Sequence, residues 1–180
     1  MGVSPTPVRE AFRRLSAEGL VEIVPWKGVV IQSYSEKEIK ETYQCRIALE
    51  MLAVELAIGK VGDSDIEQLE EKFRKSKTVK TASELFQIST EIHELIIKLA
   101  DNKKIIQLLE NINSLIQHDR NITSYSKKRT LEIHNEHEKI INSIKAKDEL
   151  KAKQAMKEHI ENGYNYIIKM KESERSNLFS

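Results

Sequence analysis

Five histidines give this chain its most evident capacity for chemistry: His93, His118, His134, His137 and His159. Neutral imidazoles carried on separate helices can converge on one divalent ion and leave positions open for water or a carboxylate. Taken singly, a histidine on a helix is more often packed in a core or set at the surface than used as a ligand. His134 lies one helical turn from His137 and could assist it. His118, beside Asp119 and Arg120, reads as a surface residue. An ion with an open position could also activate water, which makes a metal hydrolase the competing reading. No well-placed general base, second carboxylate pair or nucleophile motif accompanies the histidines, so the expectation is that the protein is not an enzyme.

The elements that must position these residues are helices. Apolar residues make up 39% of the 180 residues and charged residues 32%, with six Gly, three Pro and 6% aromatics, a balance that favours an all-helical body. From Ser35 onward the pattern is helical almost without a break. Ser35-Glu36-Lys37-Glu38 resembles a capping box and opens a helix to about residue 59. Further helices are expected over about 64–75, 82–100, 103–122, 128–146 and 149–172, with Thr123–Ser126 as a loop and Lys147-Asp148 as the final cap. Pairs such as Leu95/Leu99 and Ile140/Ile144 give each helix one stripe to bury. The fold class expected is therefore all-α, an antiparallel bundle of about six helices.

Residues 1–34 differ. Ser4-Pro5-Thr6-Pro7 is a helix-start signal, Val8, Phe12 and Leu15 follow at helical spacing, and Gly19 supplies a stop. Leu20–Val24 and Val29–Ile31 are β-branched runs around Pro25-Trp26-Lys27-Gly28, which reads as a hairpin. A helix followed by a hairpin is the back half of a winged helix. Val3–Leu15, Ala17–Val21 and Pro25–Val30 together resemble the recognition helix and wing of GntR-family regulators. That resemblance implies DNA contacts from Ser4, Thr6, Pro7 and Arg9 at the helix start and from Lys27 at the wing tip. Pro5 stands where the family often carries arginine, a reader of guanine. Arg13 and Arg14 fit either DNA contact or a solvated helix face, and Trp26 either covers the wing or packs on the next domain.

The rest of the chain resembles the FCD effector domain of FadR-type members of the same family. Tyr43–Glu50 matches that domain's opening arginine-and-glutamate pattern, and His93, Glu136-His137 and Glu158-His159 fall where the family has three metal-binding histidines. The resemblance implies a divalent metal, zinc or nickel, on His93, His137 and His159. Arg46 would then pair with the carboxylate of a small organic acid effector. The family's aspartate, one turn before the first histidine, is Ser89 here. A hydroxyl is a far weaker ligand, so either a water completes the coordination or the metal is held weakly. Glu91 lies on another helix face and is no substitute.

Two domains are expected, a partial winged helix over 1–34 and a helical effector-binding domain over 35–180. The function implied is a ligand-responsive transcription regulator acting as a homodimer on operator DNA. A winged helix needs two helices ahead of its recognition helix, to bury Val8, Phe12 and Leu15, and the sequence opens at Met1-Gly2-Val3. Residues 1–34 carry four basic and three acidic side chains, a net of +1, too little to hold DNA by charge alone. These 180 residues are thus expected to bind operator DNA poorly, and the alternative function is a helical metal or ligand sensor without DNA binding. No apolar run approaches the roughly 18–20 residues that span a membrane. With Cys45 as the single thiol, a cytoplasmic protein is expected.

Overall fold

Short polar caps set most helix starts in this chain, and one proline sets the first. A computed structural model describes residues 5–17, 21–31, 34–124 and 126–178. Helix α1 (Pro5–Ala17) begins on a proline, whose missing N–H costs nothing at a first position. Strands β1 (Val21–Val24) and β2 (Gly28–Ile31) pair antiparallel, Val21 opposite Ile31 and Val24 opposite Gly28. The Lys27 N–H donates to the Val24 carbonyl at 3.2 Å across the turn. Pro25 at its second position and Trp26 at its third, with φ of 65°, are the signature of a type II turn.

Seven helices follow among the described residues: α2 (Glu36–Ile58), α3 (Asp63–Ser76), α4 (Ala82–Leu99), α5 (Lys103–Asn111), α6 (Asn113–Ser124), α7 (Lys127–Lys145) and α8 (Glu149–Leu178). The capping box at α2 is complete. Ser35 Oγ accepts from the Glu38 N–H at 3.2 Å, and Glu38 Oε2 accepts from the Ser35 N–H at 2.8 Å. Thr81 and Glu84 repeat it at α4, and Asp148 accepts from the Lys151 N–H at α8.

The single helix expected over 103–122 is two. Ile112 leaves helical geometry with φ of −109° and ψ of 6°, and asparagines flank it at 111 and 113. Asparagine side chains bond local backbone outside a helix, which favours a break. The break separates partners: α5 packs on α2 and α4, whereas α6 packs on α4, α7 and α8. It also shifts residues 123 and 124 from the expected loop into α6, and α8 runs past the expected end at 172.

The bundle closes around Ile39, Val54, Leu69, Ile92, Ile96, Ile140, Ile144, Met156 and Ile160, all buried. Each such side chain contributes about 1.5–3 kcal/mol by leaving water. Tyr34, just ahead of α2, packs against this core, and its carbonyl accepts a hydrogen bond from Lys171 of α8. No helix among the described residues is long and apolar enough to cross a membrane.

Candidate metal and effector site

Three central helices each point one histidine at a common centre. His93 comes from α4, His137 from α7 and His159 from α8, all three buried. His93 Nε2 lies 3.1 Å from His159 Nε2 and 3.3 Å from His137 Nε2. One ligand atom from each falls within 4.8 Å of the other two.

The far sides of two rings are committed. His93 Nδ1 is 2.5 Å from Glu50 Oε2, and His159 Nδ1 is 2.7 Å from Glu136 Oε2. Each carboxylate accepts a hydrogen bond from the Nδ1–H, so the Nε2 lone pairs of those rings face the centre as bare acceptors. Such facing acceptors repel unless a proton or a cation lies between them. Between the His93 and His159 nitrogens a proton is disfavoured, since it would make one ring a buried cation. Burial and the nearby Arg120 charge hold the His93 imidazole down at about 3, against the pull of Glu50. Burial also holds His137 well below its ordinary value and lowers His159 despite Glu136. A cation fits better: nitrogens about 2.0–2.1 Å from zinc at the tetrahedral angle stand about 3.3 Å apart.

Arginines anchor both carboxylates. Arg46 Nε donates to Glu50 Oε1 at 2.7 Å, one turn along α2. Arg129, buried near the start of α7, grips Glu136 with two parallel bonds of 2.7 and 2.8 Å. Asn162 adds a further donor to Glu136 at 2.8 Å. Burial alone would raise both carboxyls. Hydrogen bonds from His159 and Arg129 bring Glu136 down to about 2, while His93, Arg46 and Arg120 hold Glu50 well below the usual range.

A small chamber of about 30 Å³ adjoins His159 of the cluster, bordered also by Arg46, Ser89, Asp119, Arg120 and Arg129. Ser89 and Arg46 thus border the same chamber as His159. Asp119 is buried, with Oδ1 3.1 Å from His118 Nδ1 and Oδ2 without a partner among the described residues. Arg120 approaches Glu50 at 3.8 Å, and burial together with Arg46 lowers its guanidinium to about 10.

Several sequence readings need correction. His118 is not a plain surface residue: it is half-buried, bonded to Asp119, with its ring edge-on to Tyr34 at 5.5 Å. His134 does not join the cluster, and its Nε2 is buried without a partner among the described residues. Trp26 neither covers the wing nor packs on the bundle, being fully exposed. Glu136 adjoins His137 on α7 yet reaches across to His159 of α8. Glu91 is engaged elsewhere, 2.6 Å from Lys72. Arg120, Asp119 and Arg129 were missed as site residues. For Arg129 the available signal was its spacing, two turns before Glu136 on one helix face.

The residues expected to meet DNA lie apart from this site. Thr6, Pro7 and Arg9 are exposed at the start of α1, and Lys27 is exposed in the hairpin turn, while Ser4 lies outside the described residues. Val8 and Phe12, on the apolar face of α1, are exposed as well.

Residues 41–162 match the FCD domain, and residues 1–31 match the gntR family of bacterial regulatory proteins. The chain is 31% identical over 180 residues to the HTH-type transcriptional regulator YdhC of Bacillus subtilis, spanning 98% of this chain and 80% of that protein. Its fold is similar to that of E. coli McbR/YncC, with a TM-score of 0.72 at 17% identity, covering 94% of this chain and 87% of the other. It is also similar to the metal-free FCD domain of TM0439, with a TM-score of 0.65 at 27% identity, covering 77% and 96%. The chain belongs to the GntR family of bacterial regulatory proteins with an FCD domain, and is a DNA-binding transcription regulator with an effector domain.

Proposed function

We propose that this regulator senses a small organic acid beside a divalent metal, zinc or nickel, held by His93, His137 and His159. Residues 1–34 form the DNA-contacting unit, residues 35–180 the sensing unit, and two copies act together on operator DNA. The observation that carries this reading is the convergence of imidazole Nε2 atoms 3.1 and 3.3 Å apart, with two of the rings fixed from behind by Glu50 and Glu136. When bound, the ion supplies a buried positive charge with positions left over for an acid's oxygen. Arg46 and Arg120 orient that carboxylate, and Ser89 offers it a hydroxyl.

The route from acid to DNA runs through α6. Asp119 and Arg120 border the chamber, while the adjacent His118 touches Tyr34, which joins the hairpin to the bundle. An acid drawn to Arg120 moves α6 against Tyr34 and so re-aims the DNA-contacting unit. In a homodimer this changes the spacing of paired recognition helices, which must reach half-sites about one helical turn apart.

Elemental analysis of the purified protein beside His137→Ala tests the metal. About one ion per chain in the parent, lost in the variant, is the expected result for a single three-histidine site. No metal in either protein, even after incubation with excess zinc, would refute it.

A further inference from the structure

A second chamber of about 310 Å³ opens between α4, α5 and α6. It is bordered by Ile97, Ile106, Leu109 and Ile116, with the charged Arg120, Lys98, Glu50, Glu94 and Glu110 also on its wall. Arg120 borders both this outer chamber and the inner one beside His159. The two sizes decide what each can hold. The inner chamber, about 30 Å³, has room for about two waters, which is the size of an acid's head group without a carbon chain. The outer chamber falls at the lower end of ordinary ligand pockets, roughly 300–1,000 Å³.

Of the two cations on the outer wall, Lys98 and Arg120, only Arg120 also borders the inner chamber. Glu50 is taken up by Arg46 at 2.7 Å and His93 at 2.5 Å, whereas Arg120 stands 3.8 Å from it, beyond hydrogen-bond reach. Gln117 and Asn113, which also border the outer chamber, bond each other at 3.1 Å. Asp119 on the inner wall repels a carboxylate toward the arginine side.

From this partition we infer that the effector is a monocarboxylic acid with an apolar chain, its head on Arg120 and its chain along Ile97, Ile106, Leu109 and Ile116. The inference rests on the acid-sensing function proposed above and narrows its ligand. Calorimetric titration of the zinc-loaded chain with acetate, butanoate, hexanoate and octanoate tests it. Affinity is expected to rise about fourfold per methylene until the chamber is full. Ile106→Glu should flatten the series while leaving zinc content unchanged, and Arg120→Gln should weaken every member. Ile106 is only partly buried, and zinc content reports that the variant has folded. Equal affinities for all four acids would overturn the inference and leave the acid-sensing function standing. Failure of every acid, including lactate and citrate, would overturn both.

Discussion

Replacing Arg129 by methionine probes the support behind the histidine cluster. The side chain is buried, and its guanidinium gives Glu136 two bonds of 2.7 and 2.8 Å. Hydrogen bonds to a charged group are worth about 1.5–3 kcal/mol each, so their loss costs roughly 3–6 kcal/mol. Arg129 Nε is itself buried without a partner among the described residues. Deleting it returns about 1–3 kcal/mol. The net expectation is a loss of about 3 kcal/mol, near the range for breaking a buried pair. In a chain of this size that lowers Tm by about 6–12 °C. Thermal unfolding followed by circular dichroism at pH 7, with excess chelator so that no metal contributes, measures it. The same substitution in a Glu136→Gln background should cost at least about 1.5 kcal/mol less, because the charge it served is gone. A loss under about 1 kcal/mol, or strict additivity with Glu136→Gln, would show that Arg129 does not anchor Glu136.

The buried histidines set a pH dependence. With its folded pKa near 3, against about 6.5 when unfolded, His93 binds its proton in the unfolded state first, so stability falls as pH drops through that window. Between pH 7 and pH 5 that amounts to about 2 kcal/mol from this residue in the chelated protein, readable as a lower urea midpoint. Glu50 and Glu136 have depressed values, so their contribution is lost as pH falls through the ordinary carboxylate range and below, while the lowered His137 and His159 add losses of the same sign between pH 7 and pH 5. Metal saturation at about 100 times Kd should add about 2.7 kcal/mol, and chelation should remove it in the parent but not in His137→Ala. His118→Ala should bind metal and acid like the parent yet lose the acid-dependent change in amide hydrogen exchange around Tyr34, and an unchanged acid response would sink the α6 route.

The bundle was largely legible because each helix carries its own start signal and its own stripe. Ser35 with Glu38 and Ile140 with Ile144 are local facts of sequence, and the structure uses both. The break at Ile112 was not legible, since asparagine is tolerated within helices and only the separate partners of α5 and α6 require a turn there. The convergence of His93, His137 and His159 was foreseen through family resemblance, because lone histidines carry no signal of where their helices will meet. Arg129 and Arg120 escaped for a related reason. A buried arginine looks in sequence like any solvated one, and its partner lies on another helix or two turns away. Glu136 and His137 are neighbours in sequence, but neighbours on a helix diverge by about 100°, so Glu136 meets His159 of another helix instead.

Ser89 then bears on how metal and acid depend on each other. Around the cluster, Arg46, Arg120 and Arg129 stand against Glu50, Glu136 and Asp119, three formal positive charges and three negative ones. With neutral imidazoles the site is balanced before any ion enters. A divalent ion adds two positive charges to a buried place, and uncompensated buried charge is costly. An aspartate at position 89 would cancel one of them from within the protein, whereas serine cancels none. The compensation must come from the acid, so each should strengthen the other's binding by the same factor. Competition with a chelator, with and without saturating hexanoate, should show zinc held roughly tenfold more tightly when the acid is present, within the usual range of coupling between sites. Ser89→Asp should bind zinc more tightly without acid and show a smaller enhancement with it. Equal enhancement in parent and variant would mean that the charge balance of the chamber does not link the two ligands.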